Sequence, residues 1–252
     1  MKRNVGLEQF YTTKENAEFC LSKLNLNSFD LIVEPSAGNG SFSDLIDGCL
    51  AFDIEPQSSS VKKADFLKLN CSKLKGNKVL AVGNPPFGRQ SCLAIKFVNK
   101  CSEFADTVAF ILPKSFKKES VQNKLNPFLW INEVYELPSC EFIECGMKTE
   151  IPCSFFVFEM KNELRKKIPI PKVDDFSFVK REAADCSIRR VGFYSGRIEG
   201  LNVSESSHYF VKWNDDYAKE KYLALKFDFD NVVGARSLSK TEILRKWVEK
   251  YQ

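Results

Sequence analysis

Four short apolar runs in the first half of the chain each stop at a proline. Asp30-Leu31-Ile32-Val33-Glu34 runs into Pro35, and Cys49-Leu50-Ala51-Phe52-Asp53-Ile54 closes on Glu55-Pro56. Residues 78–82 end at Gly83-Asn84-Pro85-Pro86, and residues 107–112 end at Pro113. Each run has the length and composition of a buried strand. A proline donates no ladder hydrogen bond and restricts the residue before it to extended backbone, so pairing stops there. Between the runs lie segments of helical pattern. Residues 14–26 carry Thr13 as a cap and an apolar stripe of Ala17, Phe19, Cys20, Leu21 and Leu24. A helix is expected through Phe42, Leu45 and Ile46, another over 91–104, and another over 120–129. Residues 131–137 and 153–160 supply two further strands. Strands alternating with helices predict βαβ units, a mostly parallel sheet and helices on both of its faces.

The pattern changes after Glu159. Residues 161–172 are charged and carry Pro169 and Pro171, which reads as a linker or surface excursion. Short β-branched or alternating runs follow at 176–180, 188–193 and 208–213. Residues 240–250 form a last helix with Ile243, Leu244, Trp247 and Val248 to one side. The expected division is a domain over 1–160 and a small, β-leaning, basic accessory region over 161–252. The chain's net charge is only +4. Residues 161–212 hold eleven Lys/Arg against seven acids, which equals that whole surplus. This region is either a polyanion contact or a solvated face.

Nine cysteines without CxxC spacing, an odd number, read as reduced thiols of an intracellular protein, in cytoplasm or nucleus. His208 is the only histidine and lies far from the closest cysteine pair, Cys140 and Cys145. That argues against a zinc site, so no metal is expected, and against a histidine-driven nucleophile. No run is long enough to span a bilayer, so no membrane partner is expected.

The strand ends carry the chemistry. Asn-Pro-Pro after residues 78–82 makes a stiff turn that aims the Asn84 side chain and the Asn84 and Pro85 carbonyls outward, beside the ring of Phe87. Acceptors next to an aromatic face suit a flat ring bearing an NH2 group; the plain alternative is a proline turn capped by a core phenylalanine. Glu34-Pro35-Ser36-Ala37-Gly38-Asn39-Gly40 is a glycine turn of strand-to-helix type, where backbone comes close to a ligand. Asp53, at the end of the next strand, is placed to accept from a ribose diol, with Glu55 as its competitor. Asp65-Phe66 offers an acceptor for an adenine amino group and a ring to stack on it.

In this joint order the chain resembles class I S-adenosylmethionine-dependent methyltransferases of the amino-methylating kind, similar to adenine-N6 nucleic-acid methyltransferases. The resemblance runs from about Gln9 to Met160. It implies a Rossmann-like, seven-stranded, mostly parallel sheet with a reversed final hairpin, and S-adenosylmethionine as cofactor. It implies that Gln9, Phe10, Tyr11 and Thr12 pack on the methionine end of that cofactor. Glu34, Pro35, Ala37, Gly38 and Gly40 then form the cofactor turn, Asp53 holds the ribose, and Asp65 and Phe66 hold the adenine. Asn84, Pro85, Pro86 and Phe87 become the catalytic motif. The order of motifs resembles DNA adenine methyltransferases, which favours DNA slightly over RNA. Those DNA enzymes usually carry tyrosine where Phe87 stands, and phenylalanine is frequent in the RNA enzymes. Candidate substrate contacts are Arg89, Lys114, Lys117 and Lys118, the aromatic Phe142, and Arg189 and Arg190, extended by Arg197 among Phe193, Tyr194 and Tyr209. The alternatives are a protein glutamine-N5 methyltransferase, because a carboxamide NH2 fits the same acceptors, and a non-catalytic nucleic-acid-binding relative.

Overall fold

The structure is a computed structural model that describes residues 11–88, 91–144, 147–150, 152–167, 169–215, 217–227 and 237–252. The chain forms two compact units, Met1–Lys167 and Ile168–Gln252.

Unit 1 begins with α1 (Lys14–Ser22), whose N-cap Thr13 accepts the Asn16 N–H through its side chain. Then come β1 (Leu31–Glu34), β2 (Leu50–Asp53), β3 (Lys62–Lys63), β4 (Val79–Gly83), α2 (Cys92–Cys101) and β5 (Thr107–Pro113). The rest is α3 (Glu119–Gln122), β6 (Leu129–Glu136), the hairpin β7 (Glu141–Glu144) and β8 (Met147–Glu150), and β9 (Cys153–Met160). Seven strands make one sheet in the order β3-β2-β1-β4-β5-β9-β6. The pairs from β3 to β5 are parallel, and β9 runs antiparallel to both β5 and β6. This is a Rossmann-like sheet with a reversed strand near one edge. β4 is buried along its whole length, as its uninterrupted apolar run requires for a central parallel strand. The core of the unit closes on Leu80, Phe110, Ile111, Phe155 and Phe156, none of which is exposed.

Three expected helices are shorter than their patterns. The segment through Phe42, Leu45 and Ile46 makes only a 3-10 turn, Ser43–Leu45. Only residues 41–49 separate Gly40 from β2, and Gly48 sits at φ +73°, which ends any helix. The first helix stops at Ser22, and Leu26–Ser28 forms a separate 3-10 turn. The expected helix over 120–129 shrinks to α3, because Pro127 breaks it and Leu129 already starts β6. The β7–β8 hairpin was not anticipated from its polar sequence.

Unit 2 contains β10 (Phe176–Val179), β11 (Cys186–Arg189), β12 (Ile198–Glu199), β13 (His208–Trp213), α4 (Ala218–Leu223) and α5 (Lys240–Tyr251). Its sheet is antiparallel, in the order β10-β13-β11-β12. Phe176, Ile188, Val211, Tyr222, Ile243 and Trp247 form its core. The buried Trp247 Nε1 donates to Asp175 at 3.0 Å, so its polar edge is satisfied. A capping box starts α5, with Ser239 and Glu242 bonding each other's backbone N–H groups. The run expected over 188–193 ends as strand at Arg189, since Gly192 at φ +93° turns the chain. No helix in the described residues is long and apolar enough to cross a membrane. The cysteines among them are free thiols.

Candidate active site

β1 and β4 are neighbours in the sheet, yet the chain leaves them in opposite directions, β1 toward β2 and β3, β4 toward β5. Such a reversal leaves a crevice beyond the carboxyl ends of the two strands. A cavity of about 480 Å³ opens there, a size ordinary for small-molecule sites. Its wall takes Glu34 to Asn39 and Ser41 from the turn after β1, and Asp53, Ile54 and Glu55 from the end of β2. Ala64 to Leu67 contribute from the segment after β3, and Asn84 to Gly88 from the turn after β4. Tyr11 and Thr12, ahead of α1, and Leu93 and Phe97, on α2, complete it.

The turn after β1 is held by backbone. Gly38 has φ +52° and Gly40 φ +87°, a region that side-chain-bearing residues rarely adopt. A Cβ on Gly38 would stand 3.0 Å from the Tyr11 ring, and one on Gly40 would stand 2.8 Å from the Asp44 carboxylate. The Gly38 N–H donates to Asp53 Oδ2 at 2.8 Å, and the Ala37 N–H donates to the Phe52 carbonyl at 2.9 Å. The other Asp53 oxygen accepts the Glu55 N–H at 2.8 Å. Asp53 therefore ties the glycine turn to β2. Each of its oxygens has a second lone pair for a ligand hydroxyl.

Glu34 closes the floor. It is 2% exposed, and its Oε2 accepts the Ser43 N–H at 2.8 Å. Burial pushes its carboxyl up to about 8, outweighing the bonds from Ser43 that favour the charged form.

The turn after β4 leans on both neighbours. Ser36 Oγ donates to the Asn84 carbonyl at 3.4 Å, linking the two turns across the crevice. The Phe87 carbonyl accepts the Leu93 and Ala94 N–H groups at 3.1 and 3.2 Å, which anchors the turn to the start of α2. Phe87 is 7% exposed and belongs both to the core and to the cavity wall. Phe66 is similarly placed: its ring stacks on Phe97 at 6.2 Å and 9°. Asp65 pairs with Lys68 at 2.8 Å.

Tyr11, Thr12, Glu34, Pro35, Ala37, Gly38, Asp53, Asp65, Phe66 and Asn84 to Phe87 thus meet at one cavity. Gly40 shapes the turn without lining it. Gln9, Phe10 and Arg89 lie outside the described residues. Lys114 and Lys117 converge on Glu136, at 2.5 and 3.0 Å, and Lys114 foremost holds that carboxyl below its usual range. Neither they nor Lys118 line the cavity. Phe142 is fully buried in the core and is not part of the wall. Arg189 and Arg190 belong to unit 2, where Arg189 Nε pairs with Glu199 at 2.6 Å and Arg190 lies 5.4 Å over the Tyr209 ring. Ser36, Ile54, Leu93 and Phe97 escaped the sequence reading. Ile54 had a signal, an apolar residue directly after Asp53 at a strand end; in the structure it is 50% exposed. Among the described residues no group of three or more His, Cys, Asp or Glu side chains is placed to hold a metal.

No protein-family model matches the chain, and no curated protein matches it. Among solved structures it is similar to a protein from Pyrococcus horikoshii described as a proposed RNA methyltransferase. The two share 17% identity over 63% of this chain and 90% of that one, with a TM-score of 0.46. It is also similar to a protein from Thermoplasma acidophilum, at 16% identity over 60% of this chain and 100% of that one, with a TM-score of 0.38. The chain's own topology makes unit 1 a Rossmann-like fold, with its candidate site where the strand order reverses.

Proposed function

We propose that the chain is an S-adenosylmethionine-dependent methyltransferase acting on the N6 amino group of adenine in nucleic acid, DNA somewhat ahead of RNA. One observation carries this reading: Asn84, Pro85, Pro86 and Phe87 line the same cavity as the Pro35–Asn39 backbone, Asp53 and Phe66. An amine-accepting turn and a nucleoside-shaped cradle share one space.

The residues present fit the cofactor. The glycine turn keeps clear the space a Cβ would fill. Asp53, with Glu55 beside it, would accept from ribose hydroxyls. Asp65, next to the apolar wall of Phe66 and Phe97, would accept from the adenine amino group. Tyr11 and Thr12 would pack at the methionine end. When bound, S-adenosylmethionine supplies an electrophilic methyl group on a sulfonium.

The turn after β4 acts on the other reactant. Adenine N6 is a poor nucleophile because its lone pair is delocalised into the ring. The Asn84 side-chain oxygen and the Pro85 carbonyl accept the two N6 hydrogens, draw the nitrogen toward tetrahedral geometry and localise that pair. Phe87 gives the base a face to lie on. In a duplex the base must first leave the stack, which costs about a few kcal/mol. The proline-stiffened turn meets no reorganisation cost at the moment of transfer, so alignment and fixed dipoles supply most of the acceleration.

The test is incubation with labelled S-adenosylmethionine and a panel of DNA, RNA and protein, followed by nucleoside digestion and mass spectrometry. N6-methylated adenosine or deoxyadenosine is expected, and the sugar identifies the polymer. Label found only on glutamine side chains would replace this reading with the protein-directed one.

A further inference from the structure

β11 and β12 are joined by Arg190-Val191-Gly192-Phe193-Tyr194-Ser195-Gly196-Arg197, and this connection is braced from every side. The Gly196 N–H donates to the Arg189 carbonyl at 2.7 Å, and the Arg189 N–H donates to the Arg197 carbonyl at 2.9 Å. The Ser195 N–H and hydroxyl both donate to the Gly192 carbonyl, at 3.0 and 2.7 Å. The buried Tyr222 hydroxyl donates to the Gly196 carbonyl at 3.0 Å. Leu238 N–H donates to the Arg190 carbonyl at 2.7 Å.

All this order presents two aromatic rings to solvent. Phe193 is 73% and Tyr194 47% exposed, edge to face at 5.3 Å and 85°. Neither belongs to the core of unit 2, which closes without them. Two large rings held outward on a pinned turn make an exposed aromatic surface on an ordered piece of backbone. The Arg197 guanidinium lies 4.2 Å over the Tyr194 ring, adding charge to the same surface. Residues 186–198 contain three arginines and no acid. Glu199 is engaged by Arg189 at 2.6 Å and by His208 at 3.1 Å.

We propose that the Phe193–Tyr194 turn, with Arg197, is a stacking platform for unpaired bases, so that unit 2 binds single-stranded nucleic acid. Rings and guanidinium together offer a face to a base and charge to its phosphate. Base faces are open to such rings only where the strand is unpaired. The inference rests on the reading that the substrate is a nucleic acid, and it narrows that substrate to single-stranded regions.

The test is fluorescence anisotropy of the full chain with labelled oligo-dT and oligo-U, neither of which contains adenine, and with a G·C duplex. Single strands are expected to bind more tightly than the duplex, the dT and U arms showing which sugar is preferred. Phe193→Ala and Phe193→Leu are each expected to weaken that binding about tenfold, while Phe193→Trp retains it and the thermal transition stays in place. Oligonucleotide binding that Phe193→Ala and Tyr194→Ala leave unchanged would overturn the platform. So would duplex binding equal to single-strand binding, or no oligonucleotide binding by a chain that still methylates adenine. Loss of methyl transfer as an activity, with aromatic-dependent strand binding intact, would sink the enzymatic reading and leave the platform standing.

Discussion

The turn after β1 and the turn between β11 and β12 are both framed by glycines at positive φ, yet one encloses space with its backbone and the other displays side chains. In the first, Ala37 is buried, the Gly38 N–H is taken by Asp53, and the backbone wraps a cavity. In the second, the backbone bonds to itself and to neighbouring strands, and the side chains of Phe193 and Tyr194 point outward. The glycines are alike; the neighbours differ. A parallel sheet with a reversal in strand order supplies a crevice for backbone to line, whereas the turn of the small antiparallel sheet displays its side chains.

The largest effect is expected in the core of unit 2. Trp247→Ala removes a fully buried ring and leaves Asp175 without its indole donor. It is expected to cost about 3–5 kcal/mol and to abolish the ordered display of Phe193, read by denaturant unfolding and by loss of single-strand binding. The glycine turn after β1 comes next. Gly40→Ala forces a Cβ to within 2.8 Å of the Asp44 carboxylate at φ +87°. Strain of about 1–2 kcal/mol should weaken S-adenosylmethionine binding about tenfold in titration calorimetry and leave oligo-dT binding as it was.

A pH titration sharpens the difference further. Glu34 in the native state keeps its proton up to about 8, while its ordinary value is 4.5. Between those values the native state binds more protons than the unfolded one, so stability falls as pH rises across that window. The thermal midpoint should drop from pH 5 to pH 8, and Glu34→Gln should flatten the drop. A midpoint that rises over that window would contradict the buried, protonated carboxyl. The smallest effect belongs to α5: Ser239→Ala removes one half of its capping box and should cost about 1 kcal/mol in urea unfolding, with methyl transfer unchanged.

Much of unit 1 was legible because its strands end in prolines, and Asn84 to Phe87 could be read as a site because three other strand ends carry matching groups. The missed features have separate causes. The segment after Gly40 has helical spacing, but nine residues cannot hold a helix and return to β2. The basic residues looked alike in sequence, yet Lys114 and Lys117 are drawn to Glu136 and Arg189 to Glu199. Ion pairing between distant segments leaves no local pattern. Phe142 was a candidate substrate contact and is instead core, as part of strand β7 in the β7–β8 hairpin.

The proposed role of the turn after β4 is to activate an adenine amino group. Its most direct test is transfer of labelled methyl from S-adenosylmethionine to adenine-containing oligonucleotides by the native chain and by Asn84→Ala. Label on adenine N6 is expected with the native chain, and a loss of about a hundredfold or more with Asn84→Ala while cofactor binding persists. Equal transfer by both proteins would contradict it.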